Sequence, residues 1–369
     1  MNKEQRYYGL DFLRAFAISI VFLFHYFILS DGQPEWLPFV AKFGWTGVDL
    51  FFVLSGFLIS STLFIQIKQG KNISFKQFFQ NRFFRIVPAY LVTVAVYFLV
   101  PLFREKEALP PLWKLLTFTQ NLGLNLKDTG TFSHAWSLCV EAYFYLLLPL
   151  ILILLQSTKH IRKSYWLIIL LFILSFVFRY YSYQYLYFPK AEQSDSWMYW
   201  YQYIYYPTYN RFDGLLVGIS IACVYHFLPE VWAKLSMYSH YLIGVSFAIL
   251  VVAGFLCYEQ DTLNASLFGF WVVSVGYGFL VMAAISKTCF LYKWNSKIIN
   301  FIATLSHSIY LTHKGVIHLT QYLFANLKLN NNLLLLISIA TSIAIAYLLH
   351  ITIEKPFMKI GKFFVYKKE

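Results

Sequence analysis

The chain has 369 residues, of which 59% are hydrophobic, 21% aromatic and only 13% charged. Soluble domains carry about 25% charged and 45–50% apolar residues, so a water-surrounded globule is excluded and an integral membrane protein is expected. The excess of Lys and Arg over Asp and Glu, 30 against 17, then reads as a topology signal rather than a nucleic-acid footprint, and no nucleic-acid partner is expected.

Apolar runs bounded by charge, Pro or Asn clusters predict ten helices, at about 10–29, 46–66, 88–103, 136–155, 165–183, 211–228, 240–258, 266–286, 299–320 and 333–353. The expected fold class is therefore all-α, a polytopic membrane protein in which residues 1–369 form a single transmembrane domain. An even number of spans puts both termini on one side. Lys3, Arg6, Lys68, Lys71, Lys76, Arg82, Arg85, Lys159, Arg162, Lys163 and the tail lysines Lys355, Lys359, Lys362, Lys367 and Lys368 all fall on that side. The positive-inside rule makes it the cytoplasmic one. The first run is long, carries charge and lacks a small-residue cleavage pattern, so it is expected to stay in the mature protein. Cys139, Cys223, Cys257 and Cys289 lie in or beside apolar runs without paired spacing, so neither a disulfide framework nor a metal site is expected.

In the first run, DFLRAFAISIVFLFHYFIL, Arg14 and His25 are eleven residues apart. On an α-helix that separation puts them on one face, about 16 Å apart along the axis. Asp11, three residues before Arg14, is placed to neutralise it. Ionisable groups at membrane depth mark functional interiors by default. In the second run Gly44, Gly47, Ser55, Gly56 and Ser60 permit close helix approach, while Asp49 either caps the helix or faces an outer cavity. Arg82 and Arg85 share a helical face in an inside loop, a pairing suited to phosphate oxygens, and Pro88 is expected to end or open the next element. The run from Ser133 carries Glu141 at a depth similar to His25. Glu141 is expected to orient His25, to hold an acceptor hydroxyl or to pair with Arg211. The aromatic stretch WMYWYQYIYYPTY reads as an interfacial belt or a glycan-stacking surface. The ninth run offers His307, His313 and His318, and the basic tail suits an anionic leaflet.

LDFLRAFAISIVFLFHY, GVDLFFVLSGFLIS, RFFRIVP, WSLCVEAYFYLLLP, RFDGLLVGI, SHSIYLTHKGV and ITIEKPF, taken in order, resemble the successive signatures of the acyltransferase family 3 membrane proteins. The resemblance covers nearly the whole chain. It implies transfer of an acyl group, usually acetyl from cytoplasmic acetyl-CoA, onto a hydroxyl of a cell-surface or lipid-linked glycan, in a bacterial cytoplasmic membrane. The family's essential Arg and His match Arg14 and His25, its Arg-rich motif matches Arg82 and Arg85, and its Trp-Ser-Leu…Glu motif matches Trp136, Ser137 and Glu141. Ala142 and Tyr143 depart from the Glu-Gln that many members carry there. Larger members fuse an outer SGNH-type hydrolase-like domain. This chain is expected to act as the stand-alone form, alone or with a separate outer transferase partner.

The expected site therefore has His25, Arg14 and Glu141 as catalytic residues, Arg14, Arg82 and Arg85 on the donor coenzyme, and Asp49, Trp136, Ser137, Arg211 and His313 on the acceptor side. His25 is the expected general base, with a covalent acetyl-His relay left open. The competing class is a transporter or flippase of an acyl or glycan substrate. It predicts repeated halves with broken helices, which the sequence does not display.

Overall fold

The computed structural model describes residues 7–30, 32–157 and 165–366. Lys3, Arg6, Lys159, Arg162, Lys163, Lys367 and Lys368, which entered the orientation argument, lie outside the described residues.

The described chain is helical, without strands. Its principal helices are α1 (Tyr8–Leu29), α2 (Gly47–Lys68), α3 (Phe75–Leu99), α4 (Trp136–Ser157), α5 (Tyr165–Tyr181), α6 (Asp213–Phe227), α7 (Ser239–Leu256), α8 (Phe270–Ile285), α9 (Lys297–Phe324), α10 (Asn331–Leu349) and α11 (Lys355–Tyr366). A chain in hydrocarbon must satisfy its backbone polar groups internally, and apolar runs of about 20 residues do so as helices long enough to span. Among the described residues eight helical runs have the length and hydropathy of membrane spans. A ninth arises if α6 and the short helix Pro229–Met237, bent by 107° from it, count as one. The chain is thus a multi-pass membrane protein. Each of the ten predicted runs falls on a helix, and α9, which is not among the eight or nine, carries several Ser, Thr and His side chains.

The third predicted boundary requires correction. Pro88 does not open a helix but lies inside α3, which starts at Phe75, where the Ser74 hydroxyl accepts the Gln77 N–H at 3.3 Å. That hydroxyl satisfies one of the helix's free N–H groups. Membrane helices tolerate interior Pro because neighbouring groups re-satisfy the freed carbonyl. Arg82 and Arg85 therefore stand on a helix, not in a loop.

Contacts group the chain into two units. The first takes the described residues of Met1–Ala17, Thr46–Ile73 and Leu147–Ala303; the second takes Ile18–Trp45, Ser74–Leu146 and Thr304–Glu369. Helix α1 contributes its first half to one and its second half to the other.

In the first unit α2 packs on α6 through glycines. A Cβ on Gly56 would sit 2.3 Å from the Leu215 carbonyl oxygen, and one on Gly218 2.3 Å from that of Val53. Approach this close between backbones requires small residues. Two buried ion pairs lie in this unit, Asp49 with Arg211 at 2.8 Å and Arg179 with Asp213. The Arg211 guanidinium also stacks 3.9 Å over Phe270 and 4.4 Å over Tyr205. The segment between the fifth and sixth predicted helices, which holds the aromatic stretch, is largely helical, with π-helical turns at Ser182–Tyr187 and Tyr201–Tyr205.

In the second unit Phe22 and Tyr26 of α1 share a core with Leu37, Ala41, Ile317 of α9 and Leu335 of α10. The connection between α3 and α4, expected as an outer loop, is folded into this unit. Its short helix Leu112–Leu116 offers the Leu115 carbonyl to the Tyr90 hydroxyl at 3.0 Å. Phe118 stacks on Tyr90 at 4.7 Å and Phe132 packs on Tyr97 at 4.6 Å. Gly315 lets Phe103 lie against α9, since a Cβ there would meet the ring at 2.3 Å.

Candidate active site

The second unit gathers three histidines. Ring centroids lie 4.8 Å apart for His25 and His313, 5.0 Å for His134 and His313, and 5.9 Å for His25 and His134. His25 comes from α1, His313 from α9, and His134 from the turn Ser133–Ala135 that leads into α4.

The hydrogen bonds assign the protons. His313 Nδ1 faces the carbonyl oxygens of Ile309 at 3.0 Å and Tyr310 at 2.8 Å. Carbonyls only accept, so Nδ1 of His313 carries its proton and Nε2 offers a lone pair. His25 Nδ1 lies 2.9 Å from that Nε2 and must be the donor. A neutral His25 therefore holds its one N–H on Nδ1, and its Nε2 is basic. His134 Nε2 lies 3.3 Å from the Leu311 carbonyl and donates to it.

The turn that places His134 is built with care. Phe132 adopts a left-handed backbone, φ 60°, which is costly for a bulky residue and concentrates at functional sites. Its N–H donates to Glu105 Oε1 at 3.0 Å. The same carboxylate oxygen receives Lys314 Nζ at 2.9 Å, and Lys314 also donates to the Ser133 hydroxyl at 3.1 Å. The Tyr310 hydroxyl donates to the His134 carbonyl at 2.5 Å, so the Ser137 hydroxyl, 2.6 Å away, donates to Tyr310. In the adjoining connection, partial burial first and the Lys314 ammonium second lower the pKa of Lys106.

A second arrangement lies on α3 and α4. Arg82, Glu141 and Tyr145 border a cavity of about 260 Å³ lined otherwise mostly by apolar side chains of α3, α4 and the segment Thr117–Phe118. Tyr145 donates to Glu141 Oε2 at 2.6 Å, and the Arg82 guanidinium lies 6.0 Å over the Tyr145 ring. Arg85, one turn on, is exposed.

The expected site residues are thus distributed as follows. Arg14 is held by Asp11 at 3.2 Å, as the spacing predicts, and is a quarter exposed. His25 and His313 meet directly, so His313 is a partner of His25 and not only part of an acceptor wall. Trp136 is buried, and Ser137 supports the His134 turn. Three expectations are corrected. Glu141 is bonded to Tyr145 beside Arg82 rather than to His25, because it stands one helical turn beyond Ser137, about 6 Å further along α4. Arg211 pairs with Asp49 rather than Glu141. Asp49 does stand in the first turn of α2, as the helix-start reading expects, and it is half of a buried ion pair rather than an open cavity wall. Sequence reasoning missed His134, Glu105 and Lys314. The first stands two residues before the quoted WSLCVEAYFYLLLP motif and the third directly follows His313; Glu105 sits in a connection with no periodic signal.

Comparison with known proteins adds the following. A family model described as an acyltransferase domain, acyltransferase family 3, matches residues 7–351. O-acetyltransferase OatA of Staphylococcus aureus strain NCTC 8325 / PS 47 is 28% identical over 325 residues, which cover 84% of this chain and 50% of that protein. A second S. aureus protein, the provisionally named O-acetyltransferase SACOL0978 of strain COL, is 27% identical over 377 residues, covering 97% of this chain and 58% of that one. The chain spans about half the length of these curated relatives. No solved structure matches it.

Proposed function

The chain belongs to acyltransferase family 3, and from that premise we propose that it is a membrane O-acetyltransferase. The proposed reaction moves an acetyl group from acetyl-CoA to a hydroxyl of a cell-surface or lipid-linked glycan in a bacterial cytoplasmic membrane. The relatives' names, O-acetyltransferase, support the group transferred. The observation that carries the chemistry is the His25–His313 hydrogen bond, which leaves His25 Nε2 as a base.

In the proposed step His25 Nε2 takes the proton of the acceptor hydroxyl as its oxygen attacks the thioester carbonyl. The tetrahedral oxyanion then collapses, the carbon–sulfur bond breaks, and the coenzyme leaves as a thiolate that takes up the proton. His313 holds the His25 ring in its Nδ1–H tautomer. The ammonium of Lys314, held by Glu105 and Ser133 and next in sequence to His313, supplies positive charge for the developing oxyanion. Arg82 and Arg85 suit the donor's phosphates, and Arg14 lies on the His25 helix. Whole-protein activity includes any further transferase domain or separate outer partner that completes delivery.

The test supplies labelled acetyl-CoA and glycan acceptor to the purified full chain in bilayers. Label recovered as an ester on the glycan is expected; glycan that passes the bilayer unmodified would instead establish the transporter or flippase reading.

A further inference from the structure

The 260 Å³ cavity beside Arg82 is smaller than the roughly 300–1,000 Å³ of sites that enclose drug-sized ligands. It has room for a chain segment rather than for a coenzyme body. Its walls are hydrocarbon and aromatic rings, with Phe79, Phe83 and Val87 from α3, Phe118 from the connection, and Leu138 and Leu146 from α4. Phe79, Phe83 and Leu146 are each about 40% exposed, and on spanning helices that exposure faces lipid. The cavity is therefore entered from the bilayer.

Charge stands at one end of it. Glu141 occupies Tyr145 and lies within electrostatic reach of Arg82. Arg85, one turn along α3, makes no ion pair among the described residues. An unpaired guanidinium beside an apolar, membrane-facing slot complements an anionic head joined to a hydrocarbon chain.

We propose that this cavity is a binding site for an anionic membrane phospholipid, with one acyl chain in the slot and the headgroup phosphate on Arg85 and Arg82. Chain and head are recognised by different features, so the two parts separate experimentally. The proposal rests on the acetyl-transfer reading only in one consequence: the lipid phosphate competes with the donor's phosphates for the same two arginines.

Native mass spectrometry of the purified full chain, titrated with phosphatidylglycerol or phosphatidylcholine of equal chain length, tests it without any need for catalysis. Retention of phosphatidylglycerol about tenfold over phosphatidylcholine is expected: both carry the phosphate, but the choline cation of phosphatidylcholine is repelled by the two guanidiniums, and about 1.4 kcal/mol of such repulsion is a factor of ten. Arg85→Gln removes that preference, and Ala142→Trp, which fills the slot, lowers retention of both lipids. Leu146→Trp is the second filling variant should Ala142→Trp misfold. Equal retention of the two lipids by the native chain overturns the headgroup assignment, and retention unchanged in a folded filling variant overturns the slot. Displacement of neither lipid by acetyl-CoA leaves the lipid site standing and overturns the competition. Absence of acetyl transfer in the assay above, with selective lipid retention, would sink the enzymatic reading alone.

Discussion

At the scale of single residues the decisive feature is proton assignment in a buried imidazole pair. His313 is locked by two backbone carbonyls one turn before it on α9, and through it His25 is left with one tautomer. Replacing His25 by Ala is expected to abolish transfer while leaving acetyl-CoA binding within twofold, as read by isothermal titration. Retained turnover would remove His25 from the mechanism. Replacing His313 by Gln should cost about 10²-fold in kcat, at the lower end of general-base contributions, and shift the pH profile while the KM for donor is unchanged. A purely structural role would lower yield and leave the pH profile of the surviving protein in place. In the first unit Asp49→Ala removes the carboxylate that pairs with the buried Arg211. Breaking a buried ion pair by removing one partner costs about 3–5 kcal/mol, so a fall in Tm is expected.

At the scale of elements, close helix approach and interior proline matter most. Gly218 faces the backbone of α2, where a Cβ would meet the Val53 oxygen at 2.3 Å and the Phe57 nitrogen at 2.6 Å. Backbone atoms do not swing aside as side-chain tips do. Gly218→Val is therefore expected to force α2 and α6 apart and to reduce the folded yield several-fold in detergent, whereas Gly244→Ala, with open space at its Cβ, should be neutral. Pro88→Ala restores an N–H inside α3 and should leave the fold intact, since the helix already runs through that position. Much of this level was legible in the sequence: all ten apolar runs lie on helices, and the small residues of α2 do mark a close contact. The π-helical turns and the folding of the 104–135 connection into the second unit were not legible. Hydropathy reports how apolar a stretch is, and that connection is polar in places where its partners are internal: Glu105 meets Lys314, and Gln120, nearly fully buried, donates to the Ala135 carbonyl at 3.2 Å.

At the scale of the whole molecule, the proposed placement of both termini in the cytoplasm follows from the loop charges. A tag at either end is expected to be cleaved by protease only after right-side-out vesicles are opened; cleavage of one end in sealed vesicles would refute an even number of spans or the orientation. On that proposed orientation Arg82 and Arg85 would face the cytoplasmic leaflet, the side of the proposed acetyl-CoA donor.

Composition and periodicity by themselves determined that this chain crosses a membrane, which ten apolar stretches are helical, and that Arg14, His25, Arg82 and Arg85 are ionisable groups needing an explanation. These are local properties, because transfer into hydrocarbon is paid run by run. Partner choice was decided only by tertiary structure. Asp49, Glu141 and Arg211 each had several partners open to them in the sequence, and the packing selected Arg211 for Asp49 and Tyr145 for Glu141. It also brought His313, 288 positions along the chain, against His25. A hydrogen bond is settled within a few tenths of an ångström, and that precision arises from helices packed in three dimensions, not from spacing along one.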